Sequence, residues 1–597
     1  MAEHRMTAAA NVAAVALTVV AFASWGVATT GIDAGHYNDL GLFSAVGPLF
    51  WVALVCGVLG FVCAIRALRF RWYVALFALA AVIAVLYATP SVVEGTARVE
   101  ASFRHLGIAD HLARSGHLER GLDAYFNWPG FFAMLGTLQR ASGVPEMLAL
   151  ARWAPVVAAL AYLPPVLLIA RALTPQPRVQ WLTAGVFVMV NWTGQDYLSP
   201  QTYAFWLLLC IAAVVMTVLR RTDDPDTAGP SARIVAPRNN DGVHRLWVGQ
   251  EGARVRLSRA QWVTVHVVVV LAVAAIVASH QLTPVMLVLV LFALWLVGRT
   301  PHWWLWFGAS AMLGIWLVGP AWPFVSGHMN DLVGGIGHQS GAGANLGNRV
   351  GNGSVDHHLV VTSRLVQTSA VWMLAGFGTL LLIARRARIR AILLLAAAPF
   401  LMVPLQAYGG EMLIRAFLFS LPLVAFLIAV FLFSASSGKA WRGAVLASVL
   451  VVLASTTVLT RYGNERGEHF SPQEVATFAW LDKHTAPGAT IMQLDQNSPR
   501  RWQRYATDSW LSLEDAEPGP AWETAVTPGR LLQAIRRDPA KGPGPAYVVY
   551  TRAQQALAEL SGNIEPGDLD RTTAEIDGDP RFEVVHRTAD SVVWRVR

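Results

Sequence analysis

Long apolar blocks separated by short polar segments dominate the first 461 residues. A helix needs about 17–25 mostly apolar residues to cross a bilayer. Thirteen blocks approach or reach this length, at 8–29, 43–65, 73–89, 148–170, 179–193, 202–219, 261–279, 282–298, 302–318, 364–384, 391–407, 413–434 and 442–460. A further apolar stretch, Trp128 to Leu138, is too short to span and predicts an interfacial or re-entrant helix. The pattern therefore predicts a mainly α, polytopic membrane protein with about 13 transmembrane helices over residues 1–461.

Residues 462–597 follow a different pattern, in which short helical and β-rich runs alternate. Helical spacing occurs at Glu474–Lys483, Pro528–Ile535 and Arg552–Leu560. Runs rich in β-forming residues occur at Ala489–Leu494, Ala546–Tyr550, Phe582–His586 and Ser591–Val596. This alternation predicts a small C-terminal α/β or α+β domain.

The composition agrees with this division. Apolar residues make up 54% of the 597-residue chain and charged residues only 14%, whereas soluble domains carry about 25% charged residues. A single soluble domain is therefore excluded. Cys56, Cys63 and Cys210 all lie in apolar blocks, so neither a disulfide framework nor a zinc signature is present in the sequence.

The distribution of basic residues predicts the orientation in the membrane. If the N-terminus is cytoplasmic, 21 of the 30 Lys and Arg residues before Arg461 fall in inner loops, which is the positive-inside pattern. We therefore expect a multi-pass protein of the bacterial cytoplasmic membrane, with the C-terminal domain extracytoplasmic. The net charge of +8 follows from this bias and implies no nucleic-acid partner. Loop 220–258 has few aromatic residues and no periodicity, and predicts a flexible cytoplasmic segment that lies on membrane lipid.

Loop 90–147, on the outer side of this topology, brings an acid close to an arginine. Glu94 and Arg98 are four residues apart, so on a helix they would share a face. The pair is either a surface ion pair or a general base beside a guanidinium that orients it or binds phosphate.

A second outer cluster is Asn191 to Gln201, between two apolar blocks. Trp192, Gln195, Asp196 and Tyr197 combine flat aromatic faces with hydrogen-bonding groups, a mixture that suits sugar binding. The alternative is an interfacial turn with an aromatic anchor.

Two shorter segments and a long loop lie on the same side. His280 joins two blocks, and Glu411 and Arg415 stand at i,i+4 where another block begins. Arg415 is predicted to bind lipid phosphate or to form a buried pair with Glu411. The Gly-rich outer loop 319–360 carries histidines and aspartates and predicts a lid over the site. Its Asp-His-His run is a weak metal pattern without a second spaced pair. No cofactor is therefore expected to be required, and a divalent metal is the alternative.

The chain resembles the GT-C glycosyltransferases, membrane enzymes that use polyprenyl-phosphate sugars. Members of the protein-mannosyltransferase and aminoarabinose-transferase type have an acid, an Arg one turn later, a small-residue-Gly turn and a Tyr-Phe-x-x-Pro stretch. Here Glu94, Arg98, Ser115-Gly116 and Tyr125-Phe-Asn-Trp-Pro129 occur in that order. The Gln-Asp-Tyr-Leu-Ser-Pro-Gln and Gly-Gly-Glu…Arg stretches are similar to those of uncharacterised actinobacterial proteins grouped with this class.

The resemblance implies an inverting transfer of sugar from a polyprenyl-phosphate donor to a cell-envelope glycan, lipid or protein. Glu94 would be the general base, with Asp196 as the second candidate. The leaving phosphate would be bound by Arg98, Arg415 and His280. The candidates for holding donor or acceptor sugar are Trp192, Gln195, Tyr197, Asn127 and Glu411.

Three other functions are compatible with the sequence. A lipid-linked glycan flippase would have inverted repeats and ionisable residues at mid-membrane, and neither is evident. A polyprenyl-diphosphate-dependent ligase or polymerase would use the same outer arginines. A non-catalytic scaffold presenting the C-terminal domain would leave the outer acids and arginines without a role.

Overall fold

The computed structural model describes residues 2–144, 147–220, 257–329, 353–387, 389–403, 411–436, 440–513, 526–537 and 543–597. Most of loop 220–258 and the central part of loop 319–360 therefore lie outside the described residues. The helices up to residue 462 are α1 (Ala2–Thr30), α2 (Leu42–Ala45), α3 (Pro48–Arg66), α4 (Trp72–Ile83), α5 (Thr89–Val93), α6 (Glu100–Ser115), α7 (Gly130–Ser142), α8 (Leu148–Leu173), α9 (Pro177–Val190), α10 (Pro200–Thr217), α11 (Arg259–Ser279), α12 (Thr283–Leu296), α13 (Trp303–Val318), α14 (Trp322–Gly327), α15 (Val355–Ala384), α16 (Arg390–Ala397), α17 (Met412–Ser436) and α18 (Ala440–Tyr462).

The protein is a multi-pass, mainly helical membrane protein, as the apolar pattern predicts. By length and composition, nine described segments can cross a membrane: α1, α3, Trp72–Val93, α8, α10, α11, α15, α17 and α18. Three shorter apolar helices are Thr283–Leu296, Trp303–Val318 and Arg390–Met402. Together with α9, these segments account for all thirteen predicted blocks. Four of the thirteen are thus helical but shorter than a full crossing requires.

The segment Trp72–Val93 extends beyond its predicted block, 73–89, and this extension positions the first acid. It passes through one π-helical turn at Ala84–Ala88 before α5 continues it. The Tyr87 hydroxyl in that turn donates to the Val188 carbonyl oxygen at 2.8 Å, which fixes the turn against α9. Glu94 consequently lies directly at the end of the segment.

Helices α6 and α7 follow this segment and pack on each other. Helix α7 confirms the short helix predicted from Trp128 to Leu138, although it begins at Gly130. Gly136 lies against the Ala109 backbone of α6, where a Cβ atom would approach the Ala109 carbonyl oxygen to 2.8 Å. Phe103 of α6 contacts Phe470 edge to face, with ring centroids 5.5 Å apart. Both rings are fully buried, and burial of such a side chain contributes about 1.5–3 kcal/mol.

The C-terminal part contains one five-stranded mixed sheet. Its strands are β1 (Thr490–Gln493), β2 (Ser509–Ser512), β3 (Ala546–Thr551), β4 (Phe582–Arg587) and β5 (Ser591–Val596), in the order β2-β1-β3-β5-β4. Strands β2, β1 and β3 are parallel, while β5 is antiparallel to both β3 and β4. The associated helices are α19 (Glu465–Glu468), α20 (Pro472–His484), α21 (Pro528–Arg537), α22 (Arg552–Leu560) and α23 (Asp568–Gly578).

Every predicted strand and helix of this part is present, and three further elements, β2, the four-residue α19 and α23, are not evident in the sequence pattern. Strand β2 has only four residues, Ser-Trp-Leu-Ser, of which three are buried, so it shows no polar–apolar alternation. Helix α23 has a polar sequence with only three buried residues. Contacts with neighbouring elements therefore determine β2 and α23 more than their local sequence does.

The docking loop, residues 495–507, follows β1 and attaches the sheet to the membrane part. Arg500 Nε donates to Glu100 Oε1 of α6 at 3.0 Å, and the Tyr505 hydroxyl donates to Asp123 Oδ2 at 2.6 Å. Asn497 Nδ2 donates to the Gly467 carbonyl oxygen at 2.8 Å. The carboxyl end of a parallel sheet often binds ligands, but here it contacts the helices that carry the candidate site.

Candidate active site

Buried ionisable side chains come from five separate segments near the end of the helices that contacts the C-terminal part. They come from the end of α5, the α9–α10 and α11–α12 connections, the start of α17 and the turn α19. Their members are Glu94, Asp196, His280, Arg415 and Glu465, each at most 9% exposed. Buried ionisable groups are costly in a membrane protein and generally mark function.

Glu94 and Arg98 are neighbours, but they do not lie on one helix. Helix α5 ends at Val93, and Gly95 has φ +73°, a left-handed conformation that a helix cannot continue through. The prediction of a shared helix face is therefore wrong. The turn nevertheless brings Arg98 Nε to 4.0 Å from Glu94 Oε2.

Arg98 is bound by two acids that lie just beyond the last membrane helix, at the start of the C-terminal part. Its Nε and Nη2 donate to the two carboxylate oxygens of Glu465, and Nη2 also donates to Glu468 Oε2 at 3.1 Å. The guanidinium lies 4.9 Å from the Tyr462 ring centroid. We call Glu94, Arg98, Glu465 and Glu468 the acid cluster. Arg98 is therefore bound by the acids of this cluster, and the phosphate-binding role that the resemblance implies for it stays a prediction.

Tyr37 covers the acid cluster from the segment between α1 and α3. Its hydroxyl lies 3.4 Å from Glu94 Oε1, and its ring meets His469 edge to face at 5.8 Å. Burial, reinforced by the negative charge of Glu465, raises the pKa of Glu94 well above its usual value. Burial also raises the pKa of Glu465, against the opposing effect of Arg98.

Asp196 forms a buried ion pair with Arg461, which lies in the last turn of α18. Arg461 Nη2 is 2.5 Å from Asp196 Oδ1, and Nη1 donates to the Asn191 carbonyl oxygen at 3.1 Å. Among the described residues, no hydrogen-bond donor reaches Asp196 Oδ2, which is buried. The guanidinium lies 4.6 Å from the ring centroid of Tyr87 and 5.2 Å from that of Tyr462. Tyr462 therefore lies between Arg461 and Arg98 and joins this ion pair to the acid cluster.

Segment 191–199 also contributes Tyr197 to a second group, the His–Arg cluster, which we define as His105, Tyr197, His280 and Arg415. Tyr197 and His105 stack with ring centroids 6.0 Å apart and planes inclined by 5°. His280 interacts electrostatically with both Arg415 and His105. Burial is the main reason that the pKa of each histidine is lowered to about 3 and that of Tyr197 raised to about 12.

Hydrogen bonds assign the tautomer of His280. Its Nδ1 lies 2.9 Å from Thr283 Oγ1 and accepts from the Thr283 amide at 3.1 Å. Since Nδ1 accepts, the neutral ring carries its hydrogen on Nε2. Arg415 lies in the first turn of α17, and its Nη2 is 2.9 Å from Glu411 Oε2, so the predicted pair between these two residues is present. The His–Arg cluster thus combines a neutral donor, a cation and a helix N-terminus.

The remaining candidates have different surroundings. Trp192 is half-buried between Phe417, at 5.9 Å, and the guanidinium of Arg364, also at 5.9 Å. Gln195 is half-buried, and its carbonyl oxygen accepts from Thr202 Oγ1 at 3.0 Å. Asn127 is buried, and Nδ2 donates to the Arg120 carbonyl oxygen at 3.2 Å. Asn127 therefore stabilises its own turn.

Five site residues were not singled out by sequence reasoning: Tyr37, His105, Arg461, Glu465 and Glu468. His105 lies inside the predicted loop 90–147 without an assigned role, whereas Arg461 and Glu465 lie at the boundary between the two predicted domains. A charged residue at the end of an apolar block is ordinary, because such residues frequently anchor helix ends. Arg461 and Glu465 are distinguished only by their contacts with residues far away in the sequence, Asp196 and Arg98 respectively.

The described residues contain no group of three or more His, Cys, Asp or Glu side chains arranged to hold a metal ion. Asp356, His357 and His358 of the Asp-His-His run lie in the first turn of α15. His328 is exposed, with Nδ1 3.0 Å from the Phe324 carbonyl oxygen, and two further candidates of loop 319–360, Asp331 and His338, lie outside the described residues.

Comparisons with known proteins find similarity in structure only. No family model and no curated protein sequence matches the chain. ArnT from Cupriavidus metallidurans bound to undecaprenyl phosphate is similar at 12% identity over 88% of this chain and 98% of ArnT, with TM-score 0.48. The same enzyme in the apo state gives 13% identity over 88% and 97% of the chains and TM-score 0.47.

The Archaeoglobus fulgidus oligosaccharyltransferase in complex with Zn and sulfate is also similar. It is 12% identical over 82% of this chain and 70% of that enzyme, with TM-score 0.47. With TM-scores below 0.5, these similarities assign neither a substrate nor a residue role to this chain.

Proposed function

We propose that the protein is an integral membrane glycosyltransferase. It transfers a sugar from a polyprenyl-phosphate donor to a cell-envelope glycan, lipid or protein acceptor, with inversion, on the extracytoplasmic side. The donor class follows from the resemblance of the Glu94 to Pro129 stretch to GT-C enzymes, and the side follows from the positive-inside pattern.

The observation that carries the proposal is that segment 191–199 contacts both a group of buried acids and the His–Arg cluster. Asp196 forms an ion pair with Arg461. The Tyr462 ring contacts both Arg461 and Arg98 and so connects this pair to the acid cluster. The next residue, Tyr197, stacks in the His–Arg cluster. Inverting transfer needs a proton acceptor on one face of the sugar and charge stabilisation for the leaving phosphate on the other.

The His–Arg cluster would hold the leaving phosphate. Arg415 supplies a positive charge in the first turn of a 25-residue helix, where the helix dipole also favours an anion. His280 supplies a neutral N–H donor at Nε2 without requiring a proton from solvent. These groups would stabilise the negative charge that develops on the phosphate oxygen as the glycosidic bond breaks.

Glu94 would remove the proton from the acceptor hydroxyl. The acceptor oxygen then forms a bond to the anomeric carbon on the face opposite the phosphate. The bond between that carbon and the phosphate oxygen breaks, and its electron pair leaves with the polyprenyl phosphate. Asp196 is the second candidate for the base, because its Oδ2 is an acceptor atom beside Tyr197.

Aromatic and amide groups around segment 191–199 would bind the sugar. Trp192 offers a flat face against Phe417, and the half-buried Gln195 offers a planar hydrogen-bonding group. Glu411 is the most exposed member, with 40% of its side chain accessible, so it suits contact with an incoming hydroxyl. Asn127 is too enclosed in its own turn for a direct role, and we assign it to support of the loop.

The test uses purified protein in lipid nanodiscs and radiolabelled sugar on short-chain polyprenyl-phosphate donors, with a cell-envelope extract as the acceptor. We expect transfer in the wild type and none in Glu94→Gln. Asp110→Asn is the matched control, because Asp110 forms an ion pair with Arg114, whose side chain is 73% exposed, and it should transfer normally.

Other outcomes assign the base differently or reject the proposal. Loss of transfer only in Asp196→Asn would make Asp196 the base. Absence of transfer from every monophosphate donor, with the protein folded, would reject this function and favour a flippase or a diphosphate-dependent ligase.

A further inference from the structure

Two buried carboxyl groups face each other in the acid cluster. Glu94 is 3% exposed and Glu465 is fully buried. The Arg98 Nε atom that donates to Glu465 Oε1 also lies 4.0 Å from Glu94 Oε2, and the two carboxyl groups are within hydrogen-bonding reach of each other. Glu94 belongs to the membrane part, whereas Glu465 lies beyond the last membrane helix, at the start of the C-terminal part.

One guanidinium cannot neutralise all the acids around it. Glu468 also binds Arg98, so Glu94, Glu465 and Glu468 share a single positive charge. The other titratable or charged groups packed on the pair are Tyr37 and His469, with Arg552 and Asp33 behind His469. The pKa of His469 is lowered to about 3, chiefly by burial, so this histidine is neutral near pH 7 and supplies no compensating charge.

The hydrogen-bond pattern agrees with one proton lying between the two acids. Among the described residues, no donor reaches the buried Glu94 Oε2, although the Glu465 carboxyl is its neighbour. Two ionised carboxylates offer only acceptors to each other, so a hydrogen bond between them forms only when one is protonated. The upward shift of both pKa values agrees with this arrangement, since like charges at such a distance cannot both remain ionised.

We infer that Glu94 and Glu465 share one proton as an acid pair, in which Glu465 is a positioning residue that determines when Glu94 can act as a base. The inference rests on the proposed function for its catalytic consequence, but not for the shared proton itself. When an acceptor hydroxyl approaches Glu94, the shared proton moves to Glu465 and Glu94 takes the hydroxyl proton. The pair then holds two protons, and it returns one to solvent after the glycoside has formed. A residue of the C-terminal part thereby completes a site built on the membrane helices.

The catalytic consequence is tested by the pH profile of sugar transfer. In Glu465→Gln, Arg98 loses its bidentate carboxylate partner and is released toward Glu94. The positive charge then stabilises the ionised form of Glu94 and lowers its pKa, so the acidic limb of the profile should move to lower pH by about one unit. Asp110→Asn is the matched control, because Asp110 pairs with the exposed Arg114 outside the acid cluster, and the acidic limb of this variant should not move. An unchanged limb in a folded, active Glu465→Gln protein would overturn the positioning role.

The shared proton is tested without any transfer assay, by difference infrared spectroscopy of the carboxylic acid carbonyl band at pH 7. All proteins carry Asp482→Asn, because burial raises the pKa of Asp482 to about 7 and its band would overlap. We expect an acid band that Glu94→Gln and Glu465→Gln each remove and that Glu468→Gln retains.

A spectrum without such a band, or with one that survives both substitutions, would overturn the acid pair. Since Glu465 is completely buried, Glu465→Asp provides a second variant if the Gln variant does not fold, and it should retain the band. Failure of the proposed function would appear as absent transfer with the infrared result intact, so the two failures are distinguishable.

Discussion

The acid cluster and the His–Arg cluster are both linked to segment 191–199, through Asp196 with Arg461 and through Tyr197, but their buried charges are arranged differently. In the acid cluster, both signs are buried, and the guanidinium that binds Glu465 comes from Arg98, far away in the sequence. The neighbouring pair Asp196–Arg461 follows the same rule. In the His–Arg cluster, two histidines are buried as neutral rings, and the cation Arg415 pairs within its own helix turn. The first arrangement suits a proton acceptor held in place, and the second suits a site that receives its negative charge from a ligand.

The largest expected effect comes from breaking the buried pair beside the acid cluster. Arg461→Met leaves Asp196 buried without its cation, which should lower the free energy of unfolding by about 3–5 kcal/mol. The measurement is reversible denaturation of the purified protein in mixed micelles. Arg114→Met removes an exposed arginine of a surface pair and should change stability by less than about 1 kcal/mol. Equal effects of the two substitutions would contradict the distinction between the clusters.

Substitution of Arg415, the cation of the His–Arg cluster, should affect ligand binding more than stability. Arg415→Gln removes a charge-assisted contact to phosphate worth about 1.5–3 kcal/mol, so binding of a short-chain polyprenyl phosphate should weaken about 10- to 100-fold. Arg98→Gln should change this affinity less than about threefold, because Arg98 already binds Glu465 and Glu468. Titration of the lipid by microscale thermophoresis measures both. A larger loss with Arg98→Gln would assign the phosphate to the acid cluster instead.

The buried neutral histidines predict sensitivity to acid. His105 and His280 have a folded-state pKa lowered to about 3, against about 6.5 in the unfolded chain. The unfolded state therefore binds protons first, and the stability contributed above pH 6.5 is lost as the pH falls toward 3. Between pH 7 and pH 5 each histidine should account for about 2 kcal/mol of this loss. His105→Gln and His280→Gln should each reduce the loss by that amount, as measured by denaturation at the two pH values. His117→Gln, at an exposed histidine, should leave the loss unchanged.

Local sequence predicts the helices of this protein better than it predicts the site. Apolar blocks are helical here because the bilayer imposes length and composition on each segment separately, so every predicted block is a helix. The strand Ser509–Ser512 was not predicted, because its pairing with β1 and not its own pattern makes it a strand. The acids and the Arg415–Glu411 pair could be located from their positions at block ends. The partners Glu465 and Arg461 could not, since only the return of the last membrane helix to α5 and segment 191–199 brings them close.

The smallest expected effect concerns the half-exposed acid of the His–Arg cluster. Glu411 and Arg415 form an i,i+4 pair in which the Glu411 side chain is 40% exposed, so Glu411→Gln should change stability by only a few tenths of a kcal/mol. Lipid phosphate and Glu411 compete for the same guanidinium, and loss of the acid should therefore tighten polyprenyl-phosphate binding by a few-fold. The same titration as for Arg415→Gln measures this, with Glu468→Gln as the matched acid of the other cluster and no change expected there. Weaker binding in Glu411→Gln would mean that Glu411 orients Arg415 for the phosphate, and the His–Arg cluster would then depend on a paired acid just as the acid cluster depends on its arginine.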